Sequence, residues 1–99
     1  MISVNEEDPV PDCTHLDQVT VARPAQVAGC VDCLAIGGRW LHLRVCRSCG
    51  HVGCCDSSPN RHATAHAKRS EHPIITSVEP GELWSYCYID DATFVLEGD

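Results

Sequence analysis

A chain of 99 residues has room for one hydrophobic core, and two Trp, two Tyr and one Phe leave that core short of large side chains. The formal charge is −7, and of the seven Lys and Arg only Lys68 and Arg69 are adjacent. That excludes the basic face with which small domains grip nucleic acid, and no stretch approaches the roughly 20 apolar residues that cross a bilayer.

Residues 1–12 carry Glu6, Glu7, Asp8 and two prolines, and read as a flexible N-terminal lead before a domain over 13–97. The lead has none of the apolar character of a secretory signal, so a reducing cytoplasm is the expected compartment. Residues 40–46, Trp-Leu-His-Leu-Arg-Val-Cys, alternate apolar and polar side chains, as a half-buried strand does. Residues 56–60 are turn formers, and Ser58 or Asn60 is placed to cap a short helix over 61–69. Pro73 ends that helix and launches a strand over 74–78. After the turn signal at 79–82, two further strands follow over 84–89 and 93–96. The expected fold is a small α+β domain, a short antiparallel sheet with one or two helices. A core this poor in large rings needs a staple.

The eight Cys and six His supply candidates for it. In chain order the potential ligands are Cys13, His15, Cys30, Cys33, Cys46, Cys49, Cys54, Cys55, His62, His66, His72 and Cys87. Two are Cys-x-x-Cys pairs, whose tight turn aims both sulfurs at one tetrahedral zinc, at about 2.3 Å each. His62 and His66 lie four apart on one helix face, with His72 beyond the helix exit. With a cysteine at 54 or 55 they supply the four ligands that the two half-built sites lack, so the arithmetic closes on two Zn²⁺. Spacing leaves open which half belongs with which, and whether Cys54 or Cys55 is the ligand. A redox reading of either pair would need a helix N-terminus in a thioredoxin-like setting, which neither has. A Cys3His site adds one negative charge and a Cys2His2 site none, so the loaded protein stays at about −8. His51 is expected to make an outer contact or a turn, and His42 to be a surface or packing residue.

The run Cys30-x-x-Cys33, Cys46-x-x-Cys49, Cys54, His62-x-x-x-His66 and His72-Pro73, closed by Trp84-Ser85-Tyr86-Cys87-Tyr88-Ile89-Asp90-Asp91, resembles the UBP-type zinc finger. That domain occurs in ubiquitin-specific proteases, in a cytoplasmic histone deacetylase and in stand-alone bacterial proteins. The resemblance implies a cross-braced pairing, with Cys30, Cys33, Cys54 and His62 on one zinc and Cys46, Cys49, His66 and His72 on the other. Multi-zinc members add a third site from a Cys-x-His and a late Cys-x-x-Cys. Cys13 and His15 match its first half; in the second, Cys87 is followed by Asp90 where the pattern has cysteine. A carboxylate is an accepted zinc ligand, so Cys13, His15, Cys87 and Asp90 form a candidate third site.

Relatives of this type capture the free C-terminal Gly-Gly of ubiquitin in a narrow aromatic slot. Tyr86 and Tyr88 match the family's aromatic pair and Trp40 another wall, while Trp84 reads as core. The family's carboxylate-holding Arg, two residues after the Cys54 position, is replaced by Asp56, and Arg61 is the candidate to compensate. The resemblance thus implies a non-catalytic, monomeric, cytoplasmic module for a protein or peptide C-terminus. The other reading is a structural or adaptor zinc protein with a vestigial tail pocket.

Overall fold

The computed structural model describes residues 15–24 and 26–96. Its strands are β1 (Leu43–Cys46), β2 (Val52–Cys54), β3 (Ile74–Ser77), β4 (Trp84–Cys87) and β5 (Ala92–Val95). All pair antiparallel in one sheet of order β2-β1-β3-β4-β5. Two helices, α1 (Val31–Ile36) and α2 (His62–Ser70), pack against the β2 end of that sheet. A single 3-10 turn, Leu16–Gln18, precedes them. The α+β architecture anticipated from the sequence is present, with α1 and β2 as additional elements.

Several boundaries differ for identifiable reasons. The strand expected from residue 84 to 89 stops at Cys87, because 88–91 form the turn into β5; the Tyr88 N–H still reaches the Pro73 carbonyl (2.9 Å), but Pro73 has no N–H to return the bond. The strand expected from residue 40 begins at Leu43. Neither Ser58 nor Asn60 caps α2. The Ser58 hydroxyl accepts the Leu41 N–H (2.9 Å), and the Asn60 amide reaches Cys33 Sγ (3.8 Å). Arg61 takes the N-cap position at φ 45° without a side-chain hydrogen bond. The His62 N–H is instead received by Cys54 Sγ at 3.2 Å, so a ligand sulfur does part of the work of a capping oxygen.

Two clusters make the core. Ile74, Cys87, Ala92, Phe94 and Leu96 form the first, with Leu16 and Val19 packed on it. Cys30, Cys33, Leu43, Val45, Val52 and Cys54 form the second, joined by Val27, Trp40 and Val78. Half of the second cluster is thus ligand cysteines. Arg47 is 3% exposed and ties the N-terminal strap to the sheet, its guanidinium donating to the Val21 carbonyl and to Thr76 Oγ1, both at 3.0 Å. Its own carbonyl accepts from the Thr20 and Val21 amides. The strap brings His15 to the turn between β4 and β5.

Candidate metal centres and the aromatic concavity

Against the expectation from sequence, the first Cys-x-x-Cys pair does stand at a helix N-terminus: Cys30 caps α1, and its sulfur accepts the Cys33 N–H at 3.4 Å. That turn aims both sulfurs of the first pair toward the end of β2 and the start of α2. There Cys54 and His62 complete a cluster whose donor atoms all lie within 4.8 Å of one another. His62 Nδ1 stands 3.2 Å from Cys30 Sγ, 3.2 Å from Cys33 Sγ and 3.6 Å from Cys54 Sγ. Cys33 and Cys54 sulfurs are 3.9 Å apart, close to the edge of about 3.8 Å that a tetrahedron with Zn–S near 2.3 Å demands. The three cysteines are wholly buried and carry no disulfide. Three thiols converging on one imidazole nitrogen are the donor set of a Cys3His zinc.

The second cluster joins Cys46, Cys49, His66 and His72. It hangs on the turn after β1, where the Gly50 N–H donates to the Cys46 carbonyl at 2.8 Å and Gly50 has φ 82°. That left-handed conformation suits glycine. Cys46 Sγ lies 3.5 Å from His72 Nδ1, and Cys49 Sγ 3.3 Å from His66 Nε2. Burial raises the Cys46 thiol above its ordinary range, and a divalent cation at that point reverses the effect by favouring the thiolate. Burial, then the neighbouring His51 and His72, hold His66 below the usual imidazole range. Both effects favour the neutral ring that a ligand needs. The two clusters draw on the chain alternately, the first and third ligand pairs against the second and fourth, and they fit two zinc ions.

A third group brings together His15, Cys87 and Asp90. His15 Nδ1 is 2.8 Å from Asp90 Oδ2, and Cys87 Sγ is 3.7 Å from each. Cys13 lies outside the described residues. Cys55 belongs to none of the three clusters. Its sulfur sits 3.5 Å from Ser58 Oγ and 4.0 Å from His42 Nδ1, so of the two adjacent cysteines it is Cys54 that joins the metal cluster. His51, which sequence reasoning gave only an outer contact, proves better defined. Its Nε2 is 2.8 Å from Asp32 Oδ2 and its ring stacks on His66. That hydrogen bond holds the Asp32 carboxyl below its usual range.

On the sheet, Ile75, Tyr86 and Thr93 stand side by side in register across β3, β4 and β5. With the 55–57 loop and α2 they line a concavity of roughly 710 Å³. Tyr86 and Tyr88 meet edge to face, 5.1 Å between centroids at 89°. Trp84 shares this lining, since residues two apart on a strand point to one face. Its ring carries the Arg44 guanidinium at 4.6 Å. Trp40 stands elsewhere, packed so tightly over Gly29 that a Cβ there would meet its ring at 2.7 Å. Arg61 is exposed at the head of α2, outside the lining. Asp56 does line the concavity and accepts from the Thr64 hydroxyl, whose oxygen is 3.1 Å from the Tyr88 hydroxyl. Tyr86 donates to the Asp91 carboxylate. That bond, with a smaller contribution from burial, pushes its phenol up to about 12.

The interleaved clusters on a small α+β frame define a zinc-binding module. Residues 30–96 match the family described as Zn-finger in ubiquitin-hydrolases and other protein, and the chain belongs to that family. Among solved structures, it is similar to a Rhodopseudomonas palustris protein determined by solution NMR. The two share 49% identity with a TM-score of 0.73, over 85% of this chain and 81% of that one. A search of curated proteins finds no match.

Proposed function

We propose that the domain, over 13–97, is a non-catalytic, monomeric protein-interaction module that takes a free Gly-rich C-terminal tail in its aromatic concavity. The two four-donor sets, ligated as described above, leave no coordination position for a reacting water, which favours structural over catalytic zinc. Cys13 would complete the third group as its fourth ligand. Free thiols throughout the described cysteines suit a reducing cytoplasm, and the charge of −7 disfavours nucleic acid.

The edge-to-face pair Tyr86 and Tyr88 beside Trp84 carries the reading. The two rings touch each other and, with Trp84, present one aromatic wall of the concavity, against which a tail without side chains can lie closely. Arg44 and Lys68 line the same concavity and offer the cationic donors that a terminal carboxylate needs, offsetting the repulsion of Asp56. Asp56 is also what favours the second reading, an adaptor or structural zinc protein whose pocket is vestigial.

Calorimetric titration of the zinc-loaded chain with Gly-Gly peptides, free and amidated at the C-terminus, separates the two. Binding that requires the free carboxylate and disappears in Tyr88→Ala, at unchanged zinc content, is the expected result. Absence of heat with both peptides would leave the adaptor reading.

A further inference from the structure

The second metal cluster lacks a support that histidine ligands ordinarily have. A ligating imidazole normally donates its other N–H to a carboxylate, carbonyl or water, which fixes the ring's orientation. His66 turns Nε2 toward Cys49 Sγ, and its Nδ1 is buried without a hydrogen-bond partner among the described residues. The ring is held by packing instead. His51 lies flat against it, centroids 4.3 Å apart and planes within 6°, and His72 meets it edge-on at 5.6 Å.

A stacked ring orients its neighbour only if it is itself fixed, and His51 is fixed at both ends. Its carbonyl accepts the Cys46 N–H at 2.8 Å, which anchors its backbone to a residue of the same cluster. Its Nε2 is 2.8 Å from Asp32 Oδ2. An ionised carboxylate only accepts, so Nε2 carries the hydrogen and donates. Asp32 sits on α1 between Cys30 and Cys33, inside the turn that builds the other cluster.

We infer that His51 and Asp32 are positioning residues for the Cys46, Cys49, His66 and His72 centre. Through them the helix that carries the first zinc's cysteine pair holds a ligand of the second. Filling the first centre fixes α1 and therefore Asp32; Asp32 sets the His51 ring; the His51 ring sets His66. The inference rests on the ligand sets proposed above and is independent of what the aromatic concavity binds.

The test uses the full chain carrying Cys13→Ser, so that the third group cannot form a second two-thiolate centre, loaded with zinc and in parallel with cobalt, whose visible spectrum distinguishes a three-thiolate from a two-thiolate centre. Chelator competition then reads the affinity of each centre in the parent and in three variants. His51→Ala is expected to weaken the two-thiolate centre roughly 10- to 100-fold, the usual cost of losing an outer support, while the three-thiolate centre holds. His51→Phe keeps a stacked ring but loses the bond to Asp32, and is expected to recover only the part of that loss that stacking alone supplies. Asp32→Asn is expected to loosen the two-thiolate centre as well, although its neighbours in sequence ligate the other. Should His51→Ala fail to fold, the other two variants still decide.

Equal affinities for parent and His51→Ala would overturn the inference, as would an Asp32→Asn effect confined to the three-thiolate centre. A His51→Phe variant as weak as His51→Ala would overturn the role of stacking. A parent spectrum without a two-thiolate component would instead overturn the ligand sets, and with them the inference.

Discussion

Asp91 closes the turn between β4 and β5 at φ 50° and accepts the hydrogen bond of the Tyr86 hydroxyl. Ionising that phenol would set a phenolate against a carboxylate, which is why it titrates at about 12. Tyr88 is raised too, chiefly by burial, with the Thr64 hydroxyl pulling the other way. The sign for stability follows from the folded state favouring the neutral phenol. Tyr86's contribution is complete below the unfolded tyrosine value of about 10, and is lost as pH rises through about 12. These are the chain's two tyrosines, so alkaline absorbance titration reads them alone. The folded protein should show little tyrosinate at pH near 10. Asp91→Asn, a residue that tolerates the left-handed region, should bring Tyr86 back toward its ordinary range and leave Tyr88 raised. Both phenols ionising at the ordinary value in the parent would contradict the Asp91 contact.

The elements meet most closely where α2 begins over β2. A Cβ built on Gly53 would lie 2.6 Å from the Ala63 nitrogen and 2.8 Å from its Cα. Those are backbone atoms that cannot swing aside, so Gly53→Ala must push α2 off the strand. Overpacking of this kind costs about 1–3 kcal/mol. His62 leads α2 and donates to the first metal cluster, so the same shift should weaken that zinc before the other. Thermal unfolding in excess zinc, paired with chelator competition, reads both effects; unchanged values in both would show that the strand and helix separate without strain.

Gly53 also marks the limit of what the sequence discloses at this scale. The three later strands and α2 announce themselves through alternation, Pro73 and turn residues, and the ligand pairs through their spacing. β2, at three residues, and α1, at six, are too short for either period to register. The concavity was half legible. Alternation along β4 puts Trp84 on the face of Tyr86, a step the sequence reading took only for Tyr86 and Tyr88, although Tyr88 lies just past the strand's end. Trp40's place over Gly29 depends on α1, which the sequence did not reveal. The bond from His51 to Asp32 joins the segment before β2 to α1 through a contact no local pattern encodes.

For the molecule as a whole, the question is what remains when the metal leaves. The second core cluster is built from Cys30, Cys33 and Cys54 together with Leu43, Val45 and Val52; none of these buried members is larger than leucine, and the one large ring packed on it, Trp40, is only partly buried. Without zinc its sulfurs are weakly polar thiols around the half-buried His62 imidazole, and α1 and the start of α2 have little else to hold them. Structural zinc in small domains is worth about 10–16 kcal/mol per site, against about 5–15 kcal/mol for the whole stability of an ordinary domain. Removing one such ion exceeds what the remaining packing supplies. A strong chelator should therefore abolish the near-UV circular dichroism of Trp84, Tyr86 and Tyr88, although those rings lie on the β4 side of the sheet. The coupling is direct: β1 carries Cys46 and pairs with β3, which in turn pairs with β4. Acidification should act in the same direction, since protons compete with the ion for thiolate and imidazole. Native mass measured along the chelator titration would give the order of release. The group of His15, Cys87 and Asp90 has the most mixed donors and should empty first. A near-UV spectrum that survived full zinc removal would mean that the cluster around Ile74 and Phe94 holds the sheet by itself.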